Sequence, residues 1–509
     1  MGLGQTTTGA GKMPRHSFPV HFARYEVLRV YLMMMVLVVL GDMANAQYYS
    51  TSTTRACVCD SYDENVDYFP NKVEPSSDEG WSVEYFNSYK KVTDSTGNVT
   101  YLYLCGTPEP DVGSDEGAAV ISIPVQRVST SSSTNFAYFE LLNQRDNLAL
   151  YESYFGYVTG GCMIQAFADG LMLDLTNSAN AAPVDVRFLS AYDASSEVPV
   201  IVAKATSAST PLLGAEWIKF FSLFFNREEA ANDIYSRIDA RYECSAAEAA
   251  AAPETPVLAA FQIDATGSWS TAVDEDCTDL DNSTIVSSYA IREEGTIDYE
   301  LMIDAGATMA FTLDTLTAAN GGNSNNITLG MILEAAADAD VILFESTFYS
   351  MKSDGCREKV KELFEQTAAG AAGNVYDYGK LISSDGGTSW FEGKSTQPDI
   401  ALRDLISILY PDLLTDYERV YLRKAMGSDE EDETIASASD CEDVNAPLYS
   451  EWRESPCNDD SAEVDIVGVE SVSAEDVCED APSAAVLGAT PAAVLATAVL
   501  IIGTAVFGI

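Results

Sequence analysis

The sequence is nearly devoid of histidine: His16 and His21 are the two among 509 residues, and both lie in the first 46. That stretch is typical of a cleavable signal peptide, with a basic leader, an apolar run over 30–40 and small residues up to Ala46. A mature chain starting at Gln47 would contain no histidine. This excludes Ser-His-Asp and Cys-His catalysis and His-ligated zinc. We therefore expect a protein that is not an enzyme and that uses no cofactor.

Basic residues are also scarce, since 28 Lys and Arg oppose 78 Asp and Glu and the formal net charge is -50 at pH 7. Recognition of phosphate groups requires a local concentration of Lys and Arg. Nucleic acids and anionic membrane surfaces are therefore excluded as partners. The acidity itself indicates a protein kept soluble by charge repulsion.

Cysteine, in contrast, is present in an even number behind the predicted signal peptide, a context that favours disulfides over metal-binding or catalytic thiols. The ten residues are Cys57, Cys59, Cys105, Cys162, Cys244, Cys277, Cys356, Cys441, Cys457 and Cys478. The sequence does not fix their pairing. Sequons at Asn98, Asn282 and Asn326 agree with a secreted glycoprotein.

The C-terminal part is divided into an acidic and an apolar segment. Residues 428–483 are rich in Asp and Glu, which predicts a stalk partly held by its three cysteines. Residues 484–509 form an apolar tail that fits either a transmembrane anchor or a GPI-attachment signal. We expect the protein at the outer face of the plasma membrane, attached through this tail.

Between 81 and 425 the sequence alternates β-rich and helical patterns, which predicts an α/β fold with mainly parallel sheets. Its length exceeds what one core usually covers, so two lobes are expected. A helix is predicted over 227–252, with apolar residues at intervals of four, Asn226 as a possible N-cap and Pro253 at its end. Spacing alone leaves open whether this helix joins the lobes or lies on the surface of one domain.

Several motifs follow one another in a recognisable order. They comprise a strand and Ser/Thr-rich turn at 123–134, a strand and tyrosine-bearing loop at 146–157, AEWIKF at 215–220, IDAG at 303–306, ADADVI at 337–342, and SWFE at 389–392 followed by QPDIALRDL at 397–405. Together they resemble the periplasmic substrate-binding proteins for iron-siderophores, haem and vitamin B12. Among eukaryotic members, the arrangement is similar to the ferrichrome-binding proteins of microalgae.

The resemblance implies two Rossmann-like lobes joined by one long helix, with a ligand cleft between them. The boundaries that follow are an N-terminal extension with disulfides at 47–118, a first lobe at 119–226, the linking helix at 227–252 and a second lobe at 253–427. The extension has no clear counterpart in that family.

Ligands of open α/β sheets bind beyond the carboxyl ends of the strands, and the loops there carry aromatic residues. Flat, rigid rings suit bulky chelates, although each ring could equally be part of a core. The SWFE tryptophan, Trp390, is a ligand contact by resemblance to the family. Lys204 and Arg292 could provide cations for an anionic chelate. The candidate ligand-binding residues are Trp390, Trp269, Tyr154, Tyr157, Tyr349 and Tyr192.

These expectations favour a cell-surface protein that captures a ferric siderophore or a similar iron chelate and passes it to an unidentified uptake partner. The alternative is a structural or adhesion protein that retains the binding-protein fold without its ligand. A GPI-anchored hydrolase is disfavoured because the mature chain lacks a histidine base.

Overall fold

A computed structural model describes residues 57–58, 62–77, 80–113, 115–175, 183–263, 280–286, 291, 293–346, 354–415 and 417–441. The predicted signal peptide, the apolar tail and the stalk beyond Cys441 lie outside the described residues, as do Trp269, Arg292 and Tyr349. Across the described ranges, helices of sufficient length and hydrophobicity to span a bilayer are absent.

The N-terminal region forms a four-stranded sheet of its own. Strands β1 to β3 are antiparallel neighbours and β4 runs parallel to β3. A disulfide joins Cys57 to Cys105, the residue that directly follows β3. The strands are β1 (Ser82–Tyr85), β2 (Tyr89–Thr93), β3 (Val99–Leu104) and β4 (Ala119–Ile123).

The first lobe contains five parallel strands in the order β7-β6-β5-β8-β9. Strands β5, β6 and β9 are buried on both faces, as expected for parallel strands covered by helices. The elements are β5 (Val128–Thr130), α1 (Thr134–Leu141), β6 (Leu148–Tyr151), α2 (Gly161–Ala168), β7 (Leu173–Asp174), β8 (Val186–Leu189) and β9 (Val200–Val202), with single 3-10 turns at Arg145–Asn147, Phe155–Tyr157 and Ala205–Ser207.

Two helices, α3 (Pro211–Phe225) and α4 (Glu228–Ala250), lead from the first sheet to the second. Helix α3 begins with a hydrogen bond from the Leu213 amide to the Thr210 hydroxyl, and it is buried on nearly all sides. It ends at Asn226, whose φ of 55° lies in the left-handed region that Asn tolerates. Asn226 is therefore the C-cap of α3, and its predicted role as N-cap of α4 is wrong.

The second lobe contains a five-stranded sheet in the order β12-β10-β14-β15-β17, in which β17 alone is antiparallel to its neighbour. Two short ladders, β11 with β13 and β16 with β18, lie outside this sheet. The strands are β10 (Val257–Ile263), β11 (Ile285–Val286), β12 (Thr308–Met309), β13 (Ile327–Thr328), β14 (Val341–Ser346), β15 (Val375–Asp377), β16 (Leu381–Ile382), β17 (Arg423–Lys424) and β18 (Thr434–Ile435).

Seven described helices accompany these strands, and single 3-10 turns lie at Ser324–Asn326 and Ala438–Asp440. The last long helix packs against α4, and its Asp399 accepts a 2.7 Å hydrogen bond from Nε of Arg241. The helices are α5 (Ile297–Asp304), α6 (Leu313–Ala319), α7 (Leu329–Ala335), α8 (Asp354–Phe364), α9 (Ala368–Ala372), α10 (Ser389–Gly393) and α11 (Pro398–Leu409).

The N-terminal sheet is joined to the first lobe by buried polar contacts. Lys90 is completely buried, forms an ion pair with Glu228 at the start of α4 and donates a 2.9 Å hydrogen bond to the Leu223 carbonyl. At the sheet edge, Asp94 accepts a 3.1 Å hydrogen bond from the Val202 amide, and the Ser95 hydroxyl donates one of 3.1 Å to the Val202 carbonyl. The hairpin between β2 and β3 thus covers the outer strand β9.

The mixed α/β fold with two lobes agrees with the sequence-based expectation, and the predicted strands near 101–105, 198–203, 257–263 and 341–345 are confirmed. Three details differ. Strand β4 pairs with the N-terminal sheet, so the sheet of the first lobe begins at Val128. A separate helix, α3, whose residues lie in the core of the first lobe, precedes the helix predicted over 227–252, which is α4; the role of α4 as the single joining helix stays a prediction. Residues 428–441, expected to begin the stalk, include β18 and pack against the folded body.

Candidate ligand-binding site

The five parallel strands of the first lobe end at one edge, where the fold leaves loops available to a solute. Ser131 follows β5, Glu152 follows β6, Ser190 follows β8 and Lys204 follows shortly after β9. Lys204 is exposed. We call this the carboxyl edge of the first lobe, and it is the candidate binding surface.

A charged cluster occupies the middle of the carboxyl edge. The Arg187 guanidinium donates to both oxygens of Glu152, at 2.8 and 2.5 Å, and to Oδ2 of Asp193 at 2.9 Å. The Ser129 hydroxyl donates to Glu152 as well. About a fifth of the Arg187 side chain (21%) is exposed, whereas Glu152 is 7% exposed. The cation is thus held in place by two carboxylates before any ligand arrives.

Both carboxylates of this cluster are ionised at neutral pH. Burial acts to raise the pKa of Glu152, but hydrogen bonds from Arg187 and Ser129 outweigh it and the pKa lies below its ordinary value. Hydrogen bonds from Ser195 and Arg187 lower the pKa of Asp193 to about 2. Two negative charges and one positive charge give the cluster a net charge of about -1.

The structure brings two of the predicted tyrosines together at this edge. Tyr154 and Tyr157 are 48% and 42% exposed, and their rings meet edge to face with centroids 5.3 Å apart. The Tyr154 hydroxyl donates to Asp385 of the second lobe. Exposed rings held against each other provide a fixed apolar surface beside the charged cluster.

Tyr192 is 58% exposed and lies next to Asp193 in the loop between β8 and β9. It lines a cavity of about 450 Å³ between this loop and the N-terminal sheet, together with Asn98, Asp115 and Glu197. The cavity is lined mainly by polar and acidic groups. Tyr192 therefore faces a different environment from the Tyr154–Tyr157 pair.

Trp390 is fully buried in the core of the second lobe. Its indole Nε1 donates a 2.9 Å hydrogen bond to Asp298, and its ring packs against Tyr378 and Tyr421 with centroid distances of 4.9 and 5.9 Å. In this conformation a solute has no access to the ring. Trp390 is therefore a core residue in this structure and does not belong to the exposed surface at the carboxyl edge.

The two lobes touch along a line that we call the seam, formed by residues 385–395 of the second lobe against 134–159 of the first. The Thr134 hydroxyl donates to the Phe391 carbonyl at 3.1 Å, and the Tyr138 hydroxyl donates to the Ser395 carbonyl at 3.4 Å. The Thr159 amide donates to Glu392 at 3.0 Å, and its hydroxyl donates to the same oxygen. The lobes are thus in direct polar contact beside the tyrosine pair.

Glu392 is the acid of the seam, and its side chain is partly buried. Burial, with a smaller effect from the nearby Glu140 charge, raises its pKa to about 7 despite the hydrogen bonds from Thr159. Its second oxygen, Oε1, is buried and has no hydrogen-bond partner. Near neutral pH this carboxyl group changes its charge while it is enclosed between the lobes.

A short segment of the second lobe then crosses to the first. Residues 434–441, which we call the strap, begin as β18 beside β16 and end at Cys441, which forms a disulfide with Cys162 in α2. Among the residues that the structure covers, no group of Cys, Asp and Glu is suited to holding a metal ion.

Sequence analysis missed the charged cluster and Glu392. One available signal was Arg187, which interrupts the apolar strand Val186–Leu189 and therefore needs a partner when the strand is covered on both sides. A second was Glu392, which belongs to the SWFE motif but was overshadowed by its tryptophan. Glu152 and Asp193 gave no local signal, because acids are common throughout the chain.

Comparisons with known proteins give partial similarities. No protein-family model matches the chain. An uncharacterized lipoprotein of Methanocaldococcus jannaschii is 26% identical over 204 residues, which is 35% of this chain and 46% of the lipoprotein. The match therefore spans less than half of that curated relative.

Among solved structures, three partial matches are to solute-binding proteins. A periplasmic binding protein of Veillonella parvula has 14% identity and a TM-score of 0.39 over 58% of this chain and 89% of its own. An ABC-type Fe3+-hydroxamate transport system of Saccharomonospora viridis has 13% identity and a TM-score of 0.36, and the match covers 56% of this chain and 94% of its own. A periplasmic heme-binding protein of Pseudomonas aeruginosa has 12% identity and a TM-score of 0.35, and the match covers 61% of this chain and 99% of its own. At these values neither family membership nor a function follows from the comparison.

Proposed function

We propose that this protein binds an iron-siderophore-like chelate at the carboxyl edge of the first lobe and does not transform it. The observation that supports this most directly is the exposed Tyr154–Tyr157 pair beside a cation that is already neutralised. The order of motifs from 123 to 405 points to the same class of ligand.

The tyrosine pair suits a bulky, partly apolar ligand. Each ring offers a large contact area with few rotatable bonds, so little conformational entropy is lost when a ligand covers it. Because Tyr154 is also bonded to Asp385, its ring is already oriented before binding. A preoriented surface of this kind favours rigid chelates over flexible peptides.

The charges at the edge favour a chelate without net negative charge. Arg187 is shared by Glu152 and Asp193, so it offers an anion little uncompensated positive charge. A trianionic ferric catecholate would be repelled by this cluster and by Asp385. In a ferric trihydroxamate, three singly charged groups neutralise Fe3+, and no such repulsion arises. We therefore expect neutral hydroxamate chelates to bind best.

The place of action in this proposal is the outer cell surface, with the chain held by its C-terminal tail. The signal peptide, the glycosylation and the anchor stay predictions from the sequence. The receiving partner is unidentified, and the proposal requires a partner that takes the chelate from the bound state.

Calorimetry of the purified protein against a neutral ferric trihydroxamate, a ferric tricatecholate and the iron-free hydroxamate tests this proposal. We expect measurable binding of the first and at least ten-fold weaker binding of the second. Tyr154→Ala and Tyr157→Ala should each weaken binding about ten-fold, since losing a stacked ring costs roughly 1–2 kcal/mol. Tyr103→Ala, on β3 of the N-terminal sheet, is the matched control and should bind normally.

A cell-surface structural role is the second candidate, favoured by the direct contact of the lobes along the seam and by the burial of Trp390. Under this alternative no member of a broad chelate panel would bind, and the tyrosine variants would differ from the parent in adhesion alone.

A further inference from the structure

We infer that the strap is a latch: its disulfide to α2 fixes the second lobe against the first, so that the lobes do not part when a solute enters or leaves. The inference concerns the motion of the protein and does not depend on which solute binds.

The strap is anchored in the second lobe immediately before it crosses. The Thr434 amide donates to the Lys380 carbonyl at 3.0 Å and the Ala436 amide to the Ile382 carbonyl at 2.7 Å. Five residues later Cys441 is bonded to Cys162 of the first lobe. Those five residues are folded into a turn in which the Ser437 amide donates to Asp440 at 2.7 Å. The tether is therefore short, and lengthening it requires this turn to unfold.

The two lobes approach closely both at the strap and at the seam. A Cβ placed on Gly161 of the first lobe would lie 3.0 Å from Cβ of Asp440 in the strap. A Cβ placed on Gly387 of the second lobe would lie 2.2 Å from the Tyr157 carbonyl oxygen. Glycine at these two positions lets the backbones approach where any larger residue would force them apart.

The latch adds a covalent connection to the one that the chain makes through α3 and α4. A body whose lobes share a single connection can open by bending there. With the second connection at Cys162–Cys441, bending would have to stretch the strap and break the hydrogen bonds of Thr134, Tyr138 and Thr159 along the seam. The lobes are thus expected to behave as one body.

Hydrogen exchange on the full chain without ligand tests the latch. In the parent protein, the Thr159 and Gln397 amides should exchange within ten-fold of the slowest amides of β5 and β6. In the C162S/C441S variant, exchange across 155–162 and 386–397 should rise at least ten-fold, and the radius of gyration from solution scattering should increase.

The C57S/C105S variant is the matched control, because it removes a disulfide that lies entirely within the N-terminal region. Its seam should exchange like that of the parent. Unchanged seam exchange in C162S/C441S would overturn the latch. If that variant does not fold, the measurement on the parent protein decides. A Thr159 amide that exchanges more than a hundred-fold faster than the amides of the core strands would show that the lobes part with the disulfide intact, and would overturn the latch.

Discussion

Replacing Glu392 by glutamine should remove a pH dependence of stability that this one carboxyl group confers. Its pKa in the folded protein is about 7, against an ordinary value of 4.5. The difference of about 2.5 units corresponds to about 3 kcal/mol at 1.36 kcal/mol per unit. Because the pKa is raised on folding, the charged form is the unfavourable one in the folded state.

The sign follows from this direction. Above pH 7 the group is ionised in both states, and the folded protein bears the full cost of enclosing the charge. As the pH falls from about 7 towards 4.5, the folded state takes up a proton that the unfolded state does not, and stability rises. The contribution of Glu392 is therefore fully favourable below pH 4.5 and is lost as the pH increases through 7.

Urea denaturation between pH 5 and pH 8 measures the effect. The parent should gain up to about 3 kcal/mol on going from pH 8 to pH 5, offset in part by other acids that titrate near pH 5. Glu392→Gln keeps the hydrogen bonds from Thr159 and should flatten the curve, with its greatest gain over the parent at pH 8. Glu116→Gln, at an exposed position, serves as the control. A Glu392→Gln curve parallel to that of the parent would refute the assignment of this titration to the seam.

Three further changes test other parts of the structure. Lys90→Met should destabilise the protein by about 3–5 kcal/mol, because Glu228 would stay buried without its partner. The double variant K90M/E228L should recover much of this loss, and an unaltered urea midpoint for K90M would contradict the buried pair. Trp390→Phe removes the hydrogen bond to Asp298 and should lower the free energy of unfolding by about 1–2 kcal/mol, while the chelate affinity measured by calorimetry stays unchanged. Weakened binding without a loss of stability would instead identify Trp390 as a ligand contact. Asp193→Asn should bring the net charge of the cluster from about -1 to about 0. With less repulsion, the affinity for an anionic chelate should rise relative to that for a neutral one, most strongly at low salt, and an equal effect on both chelates would exclude the electrostatic explanation.

The layout of the lobes could be predicted from the sequence because each signal is local. The apolar strands at 257–263 and 341–345 and the four-residue spacing in 227–252 depend on neighbours along the chain alone. Helix α3 was not predicted as a separate element, since its apolar residues surround the axis and leave no polar face to mark the period.

The candidate site was predictable in part. Tyr154 and Tyr157 could be expected at the carboxyl edge because they follow an apolar strand, and the structure places them there. The hydrogen bond from Tyr154 to Asp385, 231 residues away along the chain, depends on how the lobes meet, which no local pattern encodes. The same applies to Cys162 and Cys441, since ten cysteines permit many pairings and sequence spacing does not distinguish them.

The way the N-terminal sheet covers β9 has a consequence for truncated proteins. Asp94 accepts a hydrogen bond from the outward-facing amide of Val202, and Ser95 donates one to the carbonyl of the same residue. Without these bonds both groups could pair with a strand of another molecule. A chain starting after Ile123 would expose this edge and would leave Glu228 without Lys90. Such a fragment should self-associate through β9, so the N-terminal sheet protects the two lobes from aggregation as well as extending them.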